Sequence, residues 1–417
     1  MRRPPLKLAL ATALLIALPA SSAPPAGPET QVWIDVATHS MAGMPDLGML
    51  GGLAGKMMGG GDKGPQGYPQ SRNLPASQGH VLDIAMHNRL KPGTPAEQFV
   101  PAGLGVGKSL ALIPPVTPPG RHDPEKGEIP EYEVTIRQYW GCSATVRPGQ
   151  PKTITLKVKR GQLETAGSLA PNLFVPDRDI NEDARYALWP NQKNSRRVTE
   201  RSSMVGQHRI AGDGVPASLQ FELGQNADFM PKIALQTRGG MTDSIAVEWT
   251  PVDRARAYFL ESVAMQDEHN MVLWSSSDVA GAGHELVNYL TGSYVDRWLK
   301  QKVLLAPTAT RCAIPKGIFA STGKGEHGGL ASLNMIAYGP ETNLVWPPKP
   351  ADPKQPWDPE WNVRVRTKST TSAMLGMDFG DMGGMPTDEG DGDGKQDPEK
   401  KEEGGAKKLL RGLMRNF

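Results

Sequence analysis

Soft sulfur is the reactive group this chain concentrates. Nine of its 18 methionines fall in two Gly-rich stretches, THSMAGMPDLGMLGGLAGKMMGGG (38–61) and TTSAMLGMDFGDMGGMP (370–386). A thioether has no proton to displace and suits Cu(I). His39, Met41 and Met44 stand together in the first stretch and Met374 and Met377 in the second, so these five are candidate copper ligands. The same composition makes an adaptable apolar contact surface. Gly51, Gly55 and Gly59 also fall at the spacing that lets membrane helices pack closely, but Pro45, Asp46 and Lys56 oppose insertion. The residues rank a flexible contact segment first, copper second and membrane packing third.

Other chemistry is weakly signalled. GLGVGKS (103–109) lacks the glycine a phosphate loop needs at Ala102, and the following ALIPPVTPPG cannot open the helix that would hold phosphate. STGK (321–324) matches S-x-x-K without the accompanying S-D-N or K-T-G. A thiolate at Cys142 would require an adjacent base. EGDGDGKQDPEK (389–400) begins like a calcium loop but ends on Lys400 where a bidentate Glu belongs. Nothing here supports an enzyme, and no cofactor other than copper is implied.

The N-terminus sets the expected compartment. Arg2, Arg3 and Lys7 precede an apolar run from Leu8 to Leu18 and the small residues Ala20 to Ala23. That order predicts a secretory signal peptide over 1–23, and no later run reaches the roughly 18 apolar residues of a spanning helix. Losing the three leader cations takes the formal charge from +2 to −1, which leaves no overall field for nucleic acid. In an exported chain, two cysteines predict a Cys142–Cys312 disulfide.

The elements that must position these groups are strands. Pro, at 38 of 417 residues, is roughly twice its usual share, and short alternating runs are separated by turn signals. HVLDIAMH, SLALIPP, EYEVTIRQYW, KTITLKVKR, SLQFELG and KIALQTR predict an antiparallel β-sandwich over 75–240. Within it, the polar residues 164–215 read as a long loop region. QVWIDVAT (31–38) and WNVRVRTKS (361–369) are alternating strands that each lead into a Met/Gly stretch. This weak internal repeat places a strand plus Met/Gly segment at 29–66 and another, after a Pro-rich connector, at 348–386. Both are expected to flank a central body.

SIAVEWTPVDRARAYFLESV resembles the W-x-P-V-x-x-A-x-x-Y-x-L signature of bacterial fibronectin type III-like domains, through Trp249, Pro251, Val252, Ala255, Tyr258 and Leu260. LNMIAYGPETNLVWPP resembles that family's closing strands. The resemblance covers 241–347 and implies a second sandwich in which Trp249 and Tyr258 pack between two sheets. HELVNYLTGSYVDRWLKQK interrupts it with a predicted helix whose apolar face is Leu290, Tyr294, Trp298 and Leu299. Separately, residues 39–44 resemble the His- and Met-containing repeats of periplasmic copper-resistance proteins.

Residues 387–417 are an acidic then basic tail. In its last part Leu409, Leu410, Leu413, Met414 and Phe417 share one helical face opposite four cations, a pattern suited to an anionic membrane or a partner's groove. The sequence thus predicts an all-β chain: two antiparallel β-sandwich domains, the second fibronectin type III-like with a helical insertion, flanked by flexible Met/Gly-rich tails. The expected function is that of an exported, periplasmic or secreted, non-enzymatic binding or scaffold protein. Its partner would be an envelope protein, a glycan or the membrane surface, and not nucleic acid. A periplasmic copper-binding protein is the alternative, and an envelope hydrolase without a recognisable motif the third reading.

Overall fold

The computed structural model describes residues 27–43, 67–72, 78–115, 131–159, 162–175, 179–180, 182–321, 330–352 and 354–376. In chain order the strands are β1 (Thr30–Met41), β2 (Gly79–Asn88), β3 (Ala96–Phe99), β4 (Ser109–Leu112), β5 (Tyr132–Trp140), β6 (Lys152–Lys159), β7 (Gln162–Ser168) and β8 (Tyr186–Trp189). They continue with β9 (Gly206–Gly212), β10 (Gln220–Leu223), β11 (Leu235–Arg238), β12 (Ile245–Trp249), β13 (Ala257–Asp267) and β14 (Asn270–Ser275). Helix α1 (Gly292–Lys300) then precedes β15 (Arg311–Ile314), β16 (Leu330–Trp346) and β17 (Trp361–Leu375).

The chain is all-β and built as sandwiches. Ten strands form one sheet in the order β7-β6-β5-β14-β13-β16-β17-β1-β2-β8. Two smaller sheets, β10-β9-β3-β4 and β11-β12-β15, complete the described strands. Alternation in β1 and β17 sends Val32, Ile34, Val36, Val363 and Val365 into a core shared with Leu110, Ile210, Phe221 and Leu223 of the four-stranded sheet. Further along the same large sheet, Tyr258, Leu260, Val272 and Leu333 pack with Ile245, Val247, Trp249 and Ile314 of the three-stranded sheet. Two sandwiches therefore use one common sheet.

Three expectations change. The large sheet is mixed, because β1 pairs β17 in parallel and β14 pairs β5 in parallel. Both pairs are far apart in sequence, and only long connections allow parallel neighbours. The terminal strands do not flank the body: β1 and β17 lie inside the sheet, between β2 and β16. Residues 164–215 are not one loop, since β8 forms a sheet edge and β9 an inner strand of the four-stranded sheet. The regions 75–240 and 241–347 are joined directly through the β5–β14 pair.

The helical insertion is shorter than its amphipathic run, and it covers the other face of the large sheet. Val295 and Trp298 of α1 are buried with Phe259, Ile336 and Tyr338, and Leu290, Tyr294 and Leu299 pack against that cluster. Among the described residues no helix is long and apolar enough to cross a membrane. Cys142 and Cys312 are disulfide-bonded with their Cα atoms 5.0 Å apart, tying the turn after β5 to β15.

Candidate functional site

Period-two alternation in β1 and β17 gives them a second face. The residues between the core valines are Asp35, Ala37, His39 and Met41 on β1, and Arg366, Lys368, Thr370 and Ser372 on β17. In the parallel register these stand opposite one another in that order. Asp83 of β2 stands opposite Asp35. An open sheet would expose this polar face to water; here most of it is buried, with Asp35, Asp83 and Lys368 each 1% exposed and His39 0% exposed.

Charge pairing makes that burial tolerable. Arg366 donates through Nε to Asp35 Oδ1 at 2.7 Å and through Nη2 to Asp35 Oδ2 at 2.6 Å. The same Nη2 donates to Asp179 Oδ1 at 2.8 Å. Arg72 lies 3.5 Å from Asp35 and 3.6 Å from Asp179, and it donates to the Tyr68 hydroxyl at 2.7 Å. The Tyr289 ring lies 4.4 Å from the Arg366 guanidinium carbon and 4.5 Å from Lys368 Nζ. Burial alone pushes the Asp35 carboxyl up, but Arg366, helped by Arg72, holds it below the usual carboxylate range.

Two neighbours lack such a partner among the described residues. Asp83 accepts backbone N–H groups, from Gln70 at 3.0 and 2.8 Å and from Ser71 at 2.6 Å, and is in no ion pair among the described residues. Burial raises it to about 7 despite those bonds, and Asp35 opposite adds to the rise. Lys368 Nζ has no hydrogen-bond partner among the described residues. Burial, and then Arg366, lowers its pKa to about 7. Next along this face, His39 Nδ1 lies 2.7 Å from Thr370 Oγ1, while His39 Nε2 has no partner among the described residues. Burial, with Lys368 second, lowers His39 to about 3, so the imidazole is neutral at physiological pH.

The polar track continues across the sheet. Ser372 donates to Asn334 Oδ1 at 2.9 Å, and Asn334 donates to Glu261 Oε1 at 3.3 Å. Glu261 also lies 2.8 Å from His284 Nδ1, and that bond raises the His284 pKa. A carboxylate-oriented imidazole could serve as a general base, yet among the described residues no Ser, Thr or Cys hydrogen-bonds to His284. Nor do three or more His, Cys, Asp or Glu residues gather as metal ligands among the described residues.

Of the candidate copper ligands singled out from sequence, the structure places three on one face of the large sheet. Met41 ends β1 and stands opposite Ser372; Met374 is two residues further along β17. Both methionines are half-buried and share a sheet face with His39. Met44 and Met377 lie outside the described residues, as do Leu409, Leu410, Leu413, Met414 and Phe417 of the tail. Sequence reasoning missed Asp35, Asp83, Arg366, Lys368 and Tyr289. The available signal was charge on the second face of two Val-rich strands, acidic on β1 and basic on β17. It becomes meaningful only when those strands are known to pair. Compared with protein-family models, curated proteins and solved structures, the chain has no match.

Proposed function

We propose that this is an exported binding or scaffold protein of the cell envelope whose two Met/Gly-rich segments, 44–66 and 377–386, act as one contact unit. The observation that carries the reading is the parallel pairing of β1 and β17. Parallel strands end at the same side of a sheet, so the two segments follow from neighbouring positions although more than 300 residues separate them. Methionine side chains adapt to irregular apolar surfaces, and two segments presented together bind with the advantage of high effective concentration.

The leader-like residues 1–23 and the Cys142–Cys312 disulfide support an oxidising, exported location. The fibronectin type III-like reading of 241–347 is supported by the edge-on contact of Trp249 with Tyr258, whose ring centroids are 5.5 Å apart. The Val252 N–H also donates to the Tyr258 hydroxyl at 2.9 Å. Such modules serve mostly as spacers or binding units, consistent with a scaffold.

Deletion tests the reading. The chain and variants lacking 44–66, 377–386 or both would be compared for capture of components from detergent-solubilised envelope. Each single deletion should remove the same captured components, and the double deletion should remove no others. Undiminished capture by the double deletion would overturn the proposal.

A further inference from the structure

The polar face of the large sheet changes character toward the starts of β1 and β17. Beyond the buried Asp35, β1 carries Trp33 and then Gln31 on this face. The register sets Gln31 between Asn362 of β17 and His87 of β2, and His87 opposite Tyr186 of β8. In the next row Trp33 stands opposite Ala85, and Ala85 opposite Leu188. Because Ala85 has only a methyl group, the Trp33 indole reaches across β2 to Tyr186, with ring centroids 5.8 Å apart. His87 lies 5.2 Å from the same ring. Trp33 and Tyr186 pack on the buried Ala85, Ile180 and Leu188, yet all five side chains remain half-buried.

Aromatic surface left in water gains by covering, and the amides and imidazole beside it offer both donors and acceptors. The row is also uncharged. Burial, and then Arg185, lowers the His87 pKa, so its ring is neutral at neutral pH. Arg185 itself is held by Asp183 through bonds of 2.6 to 3.1 Å. Arg364, opposite Trp33, has Asp35 and Glu341 as opposing charges. Nothing in this balance recruits a phosphate or a carboxylate. A pyranose fits it, because one ring combines an apolar C–H face with a rim of hydroxyls. Four strands at about 4.8 Å spacing give the row a width of roughly 14 Å, room for more than one sugar ring.

We propose that Trp33, Tyr186, His87, Gln31 and Asn362 form a binding platform for an uncharged glycan chain. Trp33 and Tyr186 take the C–H faces of the sugar rings, and Gln31, His87 and Asn362 hydrogen-bond their hydroxyls. The strands beneath are fixed by the Asp35–Arg366 pair next along the same face, so the platform is formed before the glycan arrives. It stands at the starts of β1 and β17, whereas the Met/Gly-rich segments follow from their ends. The platform is therefore independent of the contact reading, and the two would serve opposite ends of one sheet.

The test is titration calorimetry of the full chain with cellohexaose, maltohexaose and chitohexaose as neutral probes and a hexagalacturonate as the acidic one. At least one neutral hexamer should bind, and more tightly than the acidic one. Trp33→Ala should weaken that binding by more than about tenfold, while Trp33→Phe keeps most of it. Circular dichroism checks folding. Gln31→Ala combined with Asn362→Ala, which leaves the aromatic packing intact, should weaken binding by about tenfold. No binding of any neutral hexamer, binding of the acidic hexamer alone, or wild-type affinity in a folded Trp33→Ala or in the double variant would each overturn the platform. Deleting 44–66 and 377–386 should leave the hexamer affinity unchanged while envelope capture is lost, which separates this inference from the contact reading.

Discussion

Lys368 and Asp83 show how strongly position governs a single side chain. Both are on the one polar face of the sheet, and neither has an ion-pair partner at hydrogen-bond distance among the described residues. Asp83, ordinarily at 3.8, is raised to about 7 by burial first. Its contribution to stability is therefore complete below pH 3.8 and lost as pH rises to about 7. Lys368, ordinarily at 10.5, is lowered to about 7, again by burial first. Its contribution is complete above pH 10.5 and lost as pH falls to about 7. The two together place a minimum near neutrality. Lys368→Met should flatten the upper limb and Asp83→Asn the lower one, read as urea midpoints across those windows. Curves that stay parallel to wild type would show that these groups do not set the pH dependence.

For the elements, the central question is what holds β1 against β17. Their hydrogen-bonded ladder is continuous from Thr30 opposite Trp361 to Met41 opposite Ser372. Val32, Ile34, Val363 and Val365 fix which face is apolar, since a one-residue slip would exchange the two faces. On the other face, the Asp35–Arg366 pair selects the register with two bonds, and its burial makes a broken pair expensive. Asp35→Asn should destabilise the fold by about 3–5 kcal/mol, because it takes from buried Arg366 the carboxylate that holds it with two bonds and leaves only the single bond to Asp179. Asp35→Leu combined with Arg366→Met should cost less than Asp35→Asn alone, because both ends of the two-bond pair are removed together and Arg72 keeps Asp179. Chemical denaturation of the three proteins measures this. Equal losses in both variants would mean that the pair is not what selects the register.

For the whole molecule, one sheet common to both sandwiches implies one cooperative structure. Each smaller sheet covers a different part of the ten-stranded sheet, and β13, β16 and β17 continue the backbone ladder between those parts. Calorimetry should show a single transition with matching calorimetric and van't Hoff enthalpies. The Cys142–Cys312 bridge closes a separation of 170 residues, which in the chain-entropy model is worth about 5 kcal/mol at most. Reduction should lower the melting temperature without splitting the transition. Two resolved transitions in the oxidised protein would show that the sandwiches unfold separately.

The sequence by itself determined the all-β class, because strand periodicity and Pro/Gly turns are local properties written in adjacent residues. It also determined the disulfide partners, since two cysteines leave one intramolecular pairing. The parallel meeting of β1 and β17 was decided only by the tertiary structure. It depends on which of many compatible strands share a core, and Val32, Ile34, Val363 and Val365 would fit any apolar sheet face. Asp35 and Arg366 are 331 residues apart and read separately as solvent-facing strand positions. Once the strands pair, the same alternation that buries valine on one side puts aspartate against arginine on the other. That placement also puts the half-buried Met41 and Met374 on the same face as the buried His39.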